Sequence, residues 1–154
     1  MGVQGLLPLL KSHVVGTHIS KFRGRRVAVD GYAWLHKATY SCCVDLARGT
    51  ENNSWIQYCL QFIDMLLSFD IHVTMVFDGA DLQAKLGTET SRRTSRDAAY
   101  QKAIELTKQG DHSAARTYYS RCVNVTPLMA AKLIKVLKMN RPRVDVVVAP
   151  YEVH

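Results

Sequence analysis

Arg25-Arg26-Val27-Ala28-Val29-Asp30-Gly31-Tyr32-Ala33-Trp34-Leu35-His36 is the stretch that decides the fold. Val27 to Val29 is a short apolar run and reads as a buried strand. It ends on a carboxylate, Asp30, followed at once by Gly31, and a helical pattern begins at Tyr32. In open α/β sheets, ligands bind outside the carboxyl ends of parallel strands. Asp30 therefore stands where a metal ligand would stand, beside a glycine that lets other atoms come close. An aspartate in this place equally serves as the cap of the helix that follows. On this stretch alone both readings stay open.

The pattern recurs along the chain. His72-Val73-Thr74-Met75-Val76-Phe77-Asp78-Gly79 is a second apolar run ending in Asp-Gly, and Val144 to Glu152 is a third that ends near a carboxylate. Three β-rich runs separated by helical segments predict an α/β fold with a parallel sheet and acids along one edge. Converging carboxylates repel one another unless they hold hard divalent cations such as Mg²⁺ or Mn²⁺. Asp30, Asp78 and Glu152 are the candidate metal ligands.

The 154 residues suffice for one domain with a real core, and 47% hydrophobic against 21% charged residues excludes a disordered chain. Cys42, Cys43, Cys59 and Cys122 lack zinc spacing, and the adjacent pair favours reduced thiols over a disulfide framework. The amino terminus lacks the basic region of a signal peptide, Leu6 stands where a myristoylation motif needs Ser or Thr, and no stretch is long enough to span a membrane.

The net charge of +7 is unevenly placed. Residues 1–29 carry five Lys or Arg and no acid, residues 30–81 carry seven acids and two bases, and residues 112–144 carry seven bases and no acid. An acidic centre between basic flanks predicts a metal site rimmed by phosphate-binding charge. Nucleic acid is the leading partner, set against an ordinary solvated basic surface.

In chain order, residues 2–10 read as a turn and a short helix. Residues 34–46 and 56–69 read as helices, the second strongly amphipathic, with a polar loop at residues 49–54. Beyond Asp78-Gly79, Lys85, Arg92, Arg93 and Arg96 recur; in a helix, Lys85, Arg92 and Arg96 would share a face. Gly87 inside that stretch would weaken a helix by about 1 kcal/mol relative to Ala. Residues 97–109, 113–122 and 128–139 read as further helices, broken at Gly110-Asp111 and Thr126-Pro127. The middle pair has spacings near those of a tetratricopeptide hairpin, but one such unit cannot bury its own face. It is therefore expected as a hairpin within this domain.

These motifs, together with Met1-Gly2-Val3-Gln4-Gly5-Leu6-Leu7-Pro8-Leu9-Leu10, Tyr32-Ala33-Trp34-Leu35-His36-Lys37 and Val148-Ala149-Pro150-Tyr151-Glu152, resemble the amino-terminal nuclease region of the flap-endonuclease and XPG superfamily of structure-specific 5′ nucleases. The resemblance runs over essentially all of residues 1–154. It implies a PIN-like fold, a mostly parallel sheet flanked by helices. It also implies that Asp30, Asp78 and Glu152 are metal-site carboxylates for two Mg²⁺ or Mn²⁺ ions, and that Lys85 and Arg92 engage the scissile phosphate. By the same resemblance Gly2 packs close to DNA, Tyr32 and His36 stack or wedge a base beside the cut, and Arg93 and Arg96 contact phosphates.

The implied activity is two-metal hydrolysis of DNA bearing 5′ ends, nicks or flaps, as a 5′ to 3′ exonuclease or flap endonuclease in nuclear DNA repair. Family members follow this glutamate with Ala and an acidic Asp, where Val153 and His154 stand here. The family's later carboxylates and the helix–two-turn–helix that grips duplex DNA are absent from residues 1–154, so the fold is expected to be incomplete at the carboxyl end. The alternative is a non-catalytic DNA-binding or interaction module with the same fold. Metal dependence separates the two.

Overall fold

The computed structural model describes residues 5–79 and 86–150. Gly2, Lys85 and Glu152 lie outside them. Three strands, β1 (Arg26–Asp30), β2 (His72–Phe77) and β3 (Asp145–Val148), form one parallel sheet in the order β1-β2-β3. Arg26 pairs with His72 and Asp30 with Val76, while Thr74 pairs with Asp145 and Phe77 with Val148. Parallel neighbours need helical crossovers. These are supplied by α2 (Gly31–Thr39), α3 (Cys43–Ala47) and α4 (Ser54–Ser68) before β2, and by α5 (Leu86–Lys108), α6 (His112–Cys122) and α7 (Pro127–Asn140) before β3. A one-turn helix, α1 (Leu6–Leu10), precedes them.

The expected α/β sheet and its crossovers are therefore present, and beyond shifts of a residue or two at other helix ends there are three main differences in extent. The helix expected over residues 34–46 begins earlier, at Gly31, and breaks at a 3₁₀ turn over Tyr40–Cys42. The early start follows from Asp30, whose Oδ1 accepts from the Ala33 amide at 2.9 Å. At the break, the hydroxyls of Thr39 and Ser41 donate to the carbonyls of His36 and Ala38, at 3.0 and 2.9 Å. Such side-chain bonds compete with the helical ladder. The helix expected from Asp97 is the second half of α5, whose polar first half offers no apolar period to read, and Gly87 is accommodated in its first turn. The third strand starts one residue late, because Val144 is already buried in the turn before it.

One core lies on one face of the sheet. Val29, Val73, Met75 and Phe77 point into it and meet Leu35 and Ala38 of α2, Trp55, Cys59, Leu60 and Ile63 of α4, and Leu133 and Leu137 of α7. Each fully buried large side chain contributes about 1.5–3 kcal/mol. Alternation puts Arg26, Ala28, Asp30, Thr74, Val76 and Val147 on the opposite face. That face is solvated among the described residues, with Val147 47% exposed.

A smaller cluster joins Ala103 of α5, Ala115 and Tyr119 of α6 and Cys43 of α3. The α5–α6 hairpin thus covers its apolar face with α3, which is how a single hairpin stands without a repeat array. The four cysteines are free, and burial pushes the Cys59 thiol up to about 12. No helix among the described residues is long and apolar enough to cross a membrane.

Candidate metal and nucleic-acid site

Two acids lie at the carboxyl edge of adjacent strands. Asp30 is the last residue of β1 and Asp78 directly follows β2. Since Asp30 pairs with Val76, Asp78 is two residues past its register partner. Strand spacing and rise put the two Cα atoms roughly 8 Å apart. Alternation carried one residue past Phe77 puts both on the same, solvated side of the sheet. A gap of that size suits bridging by hard cations. Asp30 is at once cap and candidate ligand: Oδ1 holds the Ala33 amide, which fixes the rotamer and leaves Oδ2 to accept something else.

The glycines after the two acids admit the protein's own atoms. A methyl on residue 31 would overlap the Phe77 ring, at 2.9 Å from Cζ and closer to Cδ1 and Cε1. A methyl on residue 79 would overlap the carbonyl oxygen of Ala149 and fall 2.7 Å from the carbonyl of Pro150. The chain leaving β3 therefore crosses directly over Gly79, held by the Ala149 amide donating to the Phe77 carbonyl at 2.9 Å. Among the described residues no group of three His, Cys, Asp or Glu side chains is placed to hold a metal ion. The donors present are the hard oxygens of Asp30 and Asp78, which fit Mg²⁺ or Mn²⁺ better than softer metals.

Basic and aromatic side chains surround this edge. His36 lies one turn beyond Tyr32 on α2. Desolvation lowers its pKa most, the Asp30 charge opposes this, and the Arg92 charge adds to it. Asp30 and Arg92 are thus both within electrostatic reach of one imidazole. Tyr32 is half-buried with its ring edge-on to Phe77, centroids 6.4 Å apart. Arg92 and Arg93 are exposed on α5. Arg96, on the same side of α5 as Arg92, donates to Asn124 Oδ1 at 2.7 Å and ties α5 to the segment after α6. The structure thus brings Asp30, Asp78, Tyr32, His36 and Arg92 to one edge.

Three neighbours escaped the sequence reading: Lys37, Tyr40 and Arg116 line an open depression with His36. The four-residue spacing of Tyr32, His36 and Tyr40 is a signal for one of them. Arg116 meets Tyr40 across 76 residues of sequence, which no local pattern announces.

A parallel α/β sheet with acids at its carboxyl edge is a fold class that hosts many metal-dependent hydrolases, and comparison with known proteins narrows it. Residues 1–99 match the XPG N-terminal domain, and the chain belongs to that family. It is 45% identical over 152 residues to Exonuclease 1 of Danio rerio, covering 99% of this chain and 19% of that protein. It is 40% identical over 152 residues to Exodeoxyribonuclease 1 of Schizosaccharomyces pombe, covering 99% of this chain and 26% of that protein. The chain thus spans about a fifth to a quarter of the length of these relatives. The solved catalytic core of Rad2 in complex with DNA substrate shares the fold, with a TM-score of 0.59 at 20% identity over 98% of this chain and 40% of that one.

Proposed function

We propose that this chain carries part of the catalytic apparatus of a metal-dependent 5′ deoxyribonuclease, acting on nuclear DNA with 5′ ends, nicks or flaps during repair. The observation that carries this reading is the pair Asp30 and Asp78 at the ends of adjacent parallel strands, with Arg92 in electrostatic reach of the same corner. Asp30 and Asp78, with Glu152, would hold the divalent ions. When bound, two such ions activate water and stabilise the leaving oxygen.

The rest of the work falls to this chain's side chains. Arg92 and Lys85 offset phosphate charge and orient the scissile group. Arg93 adds a phosphate contact, and Arg96, already bonded to Asn124, holds the α5 face in place. Gly2 offers close backbone approach to the DNA. His36, whose pKa is lowered, stays neutral at physiological pH and presents a flat ring beside Tyr32 for a base next to the cut. The names of the relatives, Exonuclease 1 and Exodeoxyribonuclease 1, support exonuclease chemistry.

The test is cleavage of a 5′-labelled recessed or flapped duplex by the chain in Mg²⁺ and in Mn²⁺, beside Asp78→Ala. Metal-dependent product that disappears in Asp78→Ala is expected. Product unaffected by Asp78→Ala would overturn the proposal. A folded chain that binds DNA in a salt-sensitive way without cleaving it would favour the non-catalytic module.

A further inference from the structure

His36 belongs to the candidate site and also opens a second feature, an outward depression of about 610 Å³ between α2 and α6. This volume is in the range of ligand sites, roughly 300–1,000 Å³. Lys37, Tyr40, Tyr58 and Arg116 line it with His36, and among the described residues no carboxylate does. Tyr40 is 49% exposed, so about half of its surface is left in water. The Arg116 guanidinium lies 5.4 Å from the Tyr40 ring centroid and donates to the carbonyls of Tyr40 and Ser41, at 3.4 and 3.1 Å. Those bonds hold the ring and leave a fixed positive charge beside it. Tyr40 follows His36 by four residues, about 6 Å along the helix, and Asp30 by ten, about 15 Å.

The geometry points to this depression as a binding groove for unpaired nucleotides, running from the acidic edge along α2, with a base against Tyr40 and phosphates near Lys37 and Arg116. Cationic grooves interleaved with aromatic rings are how proteins hold single strands without reading sequence. The occupant is a single-stranded stretch of nucleic acid because the lining is cationic and aromatic together. An apolar peptide would not need the cations, and a free phosphate would not need the rings. Continuity through His36 with the candidate site says where the strand leads. The inference rests on the reading of DNA as substrate, but its test requires neither metal nor cleavage, so the two fail separately.

The experiment is fluorescence-anisotropy binding of a labelled oligo-dT to the chain, in EDTA and across salt concentrations. Tyr40→Ala is expected to weaken binding roughly 5- to 100-fold and Tyr40→Phe to keep it, since stacking needs the ring and not the hydroxyl. Lys37→Ala is expected to flatten the plot of log K against log salt by about 0.7, one phosphate contact on a single strand. Lys138→Ala, a matched loss of charge at an exposed site on α7, is expected to leave the slope unchanged. Unaltered binding by a folded Tyr40→Ala chain would overturn the groove. Equal effects of Lys37→Ala and Lys138→Ala would also overturn it, by showing that the attraction is diffuse. Should Tyr40→Ala fail to fold, by its circular dichroism, the Lys37 and Lys138 pair still decides.

Discussion

Gly31→Ala sets two known effects against each other. Helix propensity favours Ala over Gly by at most about 1 kcal/mol, and less at the first position of a helix. Residue 31 is that first position. Against this stands Phe77, 1% exposed, whose ring Cζ would sit 2.9 Å from the new methyl. Carbon atoms rest at about 3.5–4.0 Å, and Cδ1 would sit nearer still, at 2.5 Å, so the ring would have to move by about 1–1.5 Å. It has little room, since Tyr32 stands edge-on to it and its own carbonyl anchors the Ala149 amide. Overpacking of this kind costs about 1–3 kcal/mol. Sterics should win, with a net loss of about 1–2 kcal/mol, or roughly 2–8 °C in Tm for a chain of this length. Urea unfolding followed by far-ultraviolet circular dichroism and by Trp34 and Trp55 fluorescence measures it. Phe77→Leu in the same chain should recover part of the loss, giving a coupling energy of about 0.5 kcal/mol or more. A Gly31→Ala chain as stable as the parent, or strict additivity with Phe77→Leu, would refute the packing argument.

Three other outcomes follow from the same geometry. Gly79→Ala presses on backbone rather than on a side chain, so it should cost about 1–3 kcal/mol and shift the chain after β3, read as lost amide protection at Ala149. In an NMR titration of His36, Arg92→Ala should raise its pKa and Asp30→Asn should lower it further, because those charges act in opposite senses on the ring. The same lowered pKa makes the folded protein lose stability as pH falls below about 6.5, where the unfolded chain takes up the proton more readily. Arg141 grips Asp64 through Nε at 2.5 Å and Nη2 at 2.8 Å and holds that carboxyl below its ordinary range. The pair is largely exposed, so Arg141→Ala should cost no more than about 1 kcal/mol near neutral pH. That difference should fade as acid carries the pH below about 3.9 and through the depressed pKa of Asp64.

The strands were legible because Val27–Val29 and Val73–Phe77 are short apolar runs closed by Asp-Gly, and α4 because its apolar residues keep one period. The first half of α5 was visible only as spaced basic residues, since a helix with no apolar stripe leaves no periodic trace. The split between α2 and α3 depends on hydroxyls of Thr39 and Ser41 that look unremarkable in sequence. At the site, the position of Asp30 was legible and its cap role is present, and because the cap uses one oxygen it does not compete with the proposed ligand role. Gly31 reads in sequence as room for other atoms to come close, and Gly79 carries no such signal. The space at these two glycines is filled by Phe77 and by the chain leaving β3, contacts made across 46 and 70 residues, from 31 to 77 and from 79 to 149. Arg116 beside Tyr40 was invisible for the same reason.

The account turns on Asp30 and Asp78 sharing divalent cations at the carboxyl edge of the sheet. Mn²⁺ binding to the chain, followed by loss of the free-ion signal in electron paramagnetic resonance, tests this directly beside Asp30→Asn and Asp78→Asn. The predicted result is binding by the parent chain that weakens at least about tenfold in each variant, by analogy with the loss of any ligand-shell partner. Binding of equal strength in the parent and in both variants would contradict the account, as would a folded parent chain that takes up no Mn²⁺.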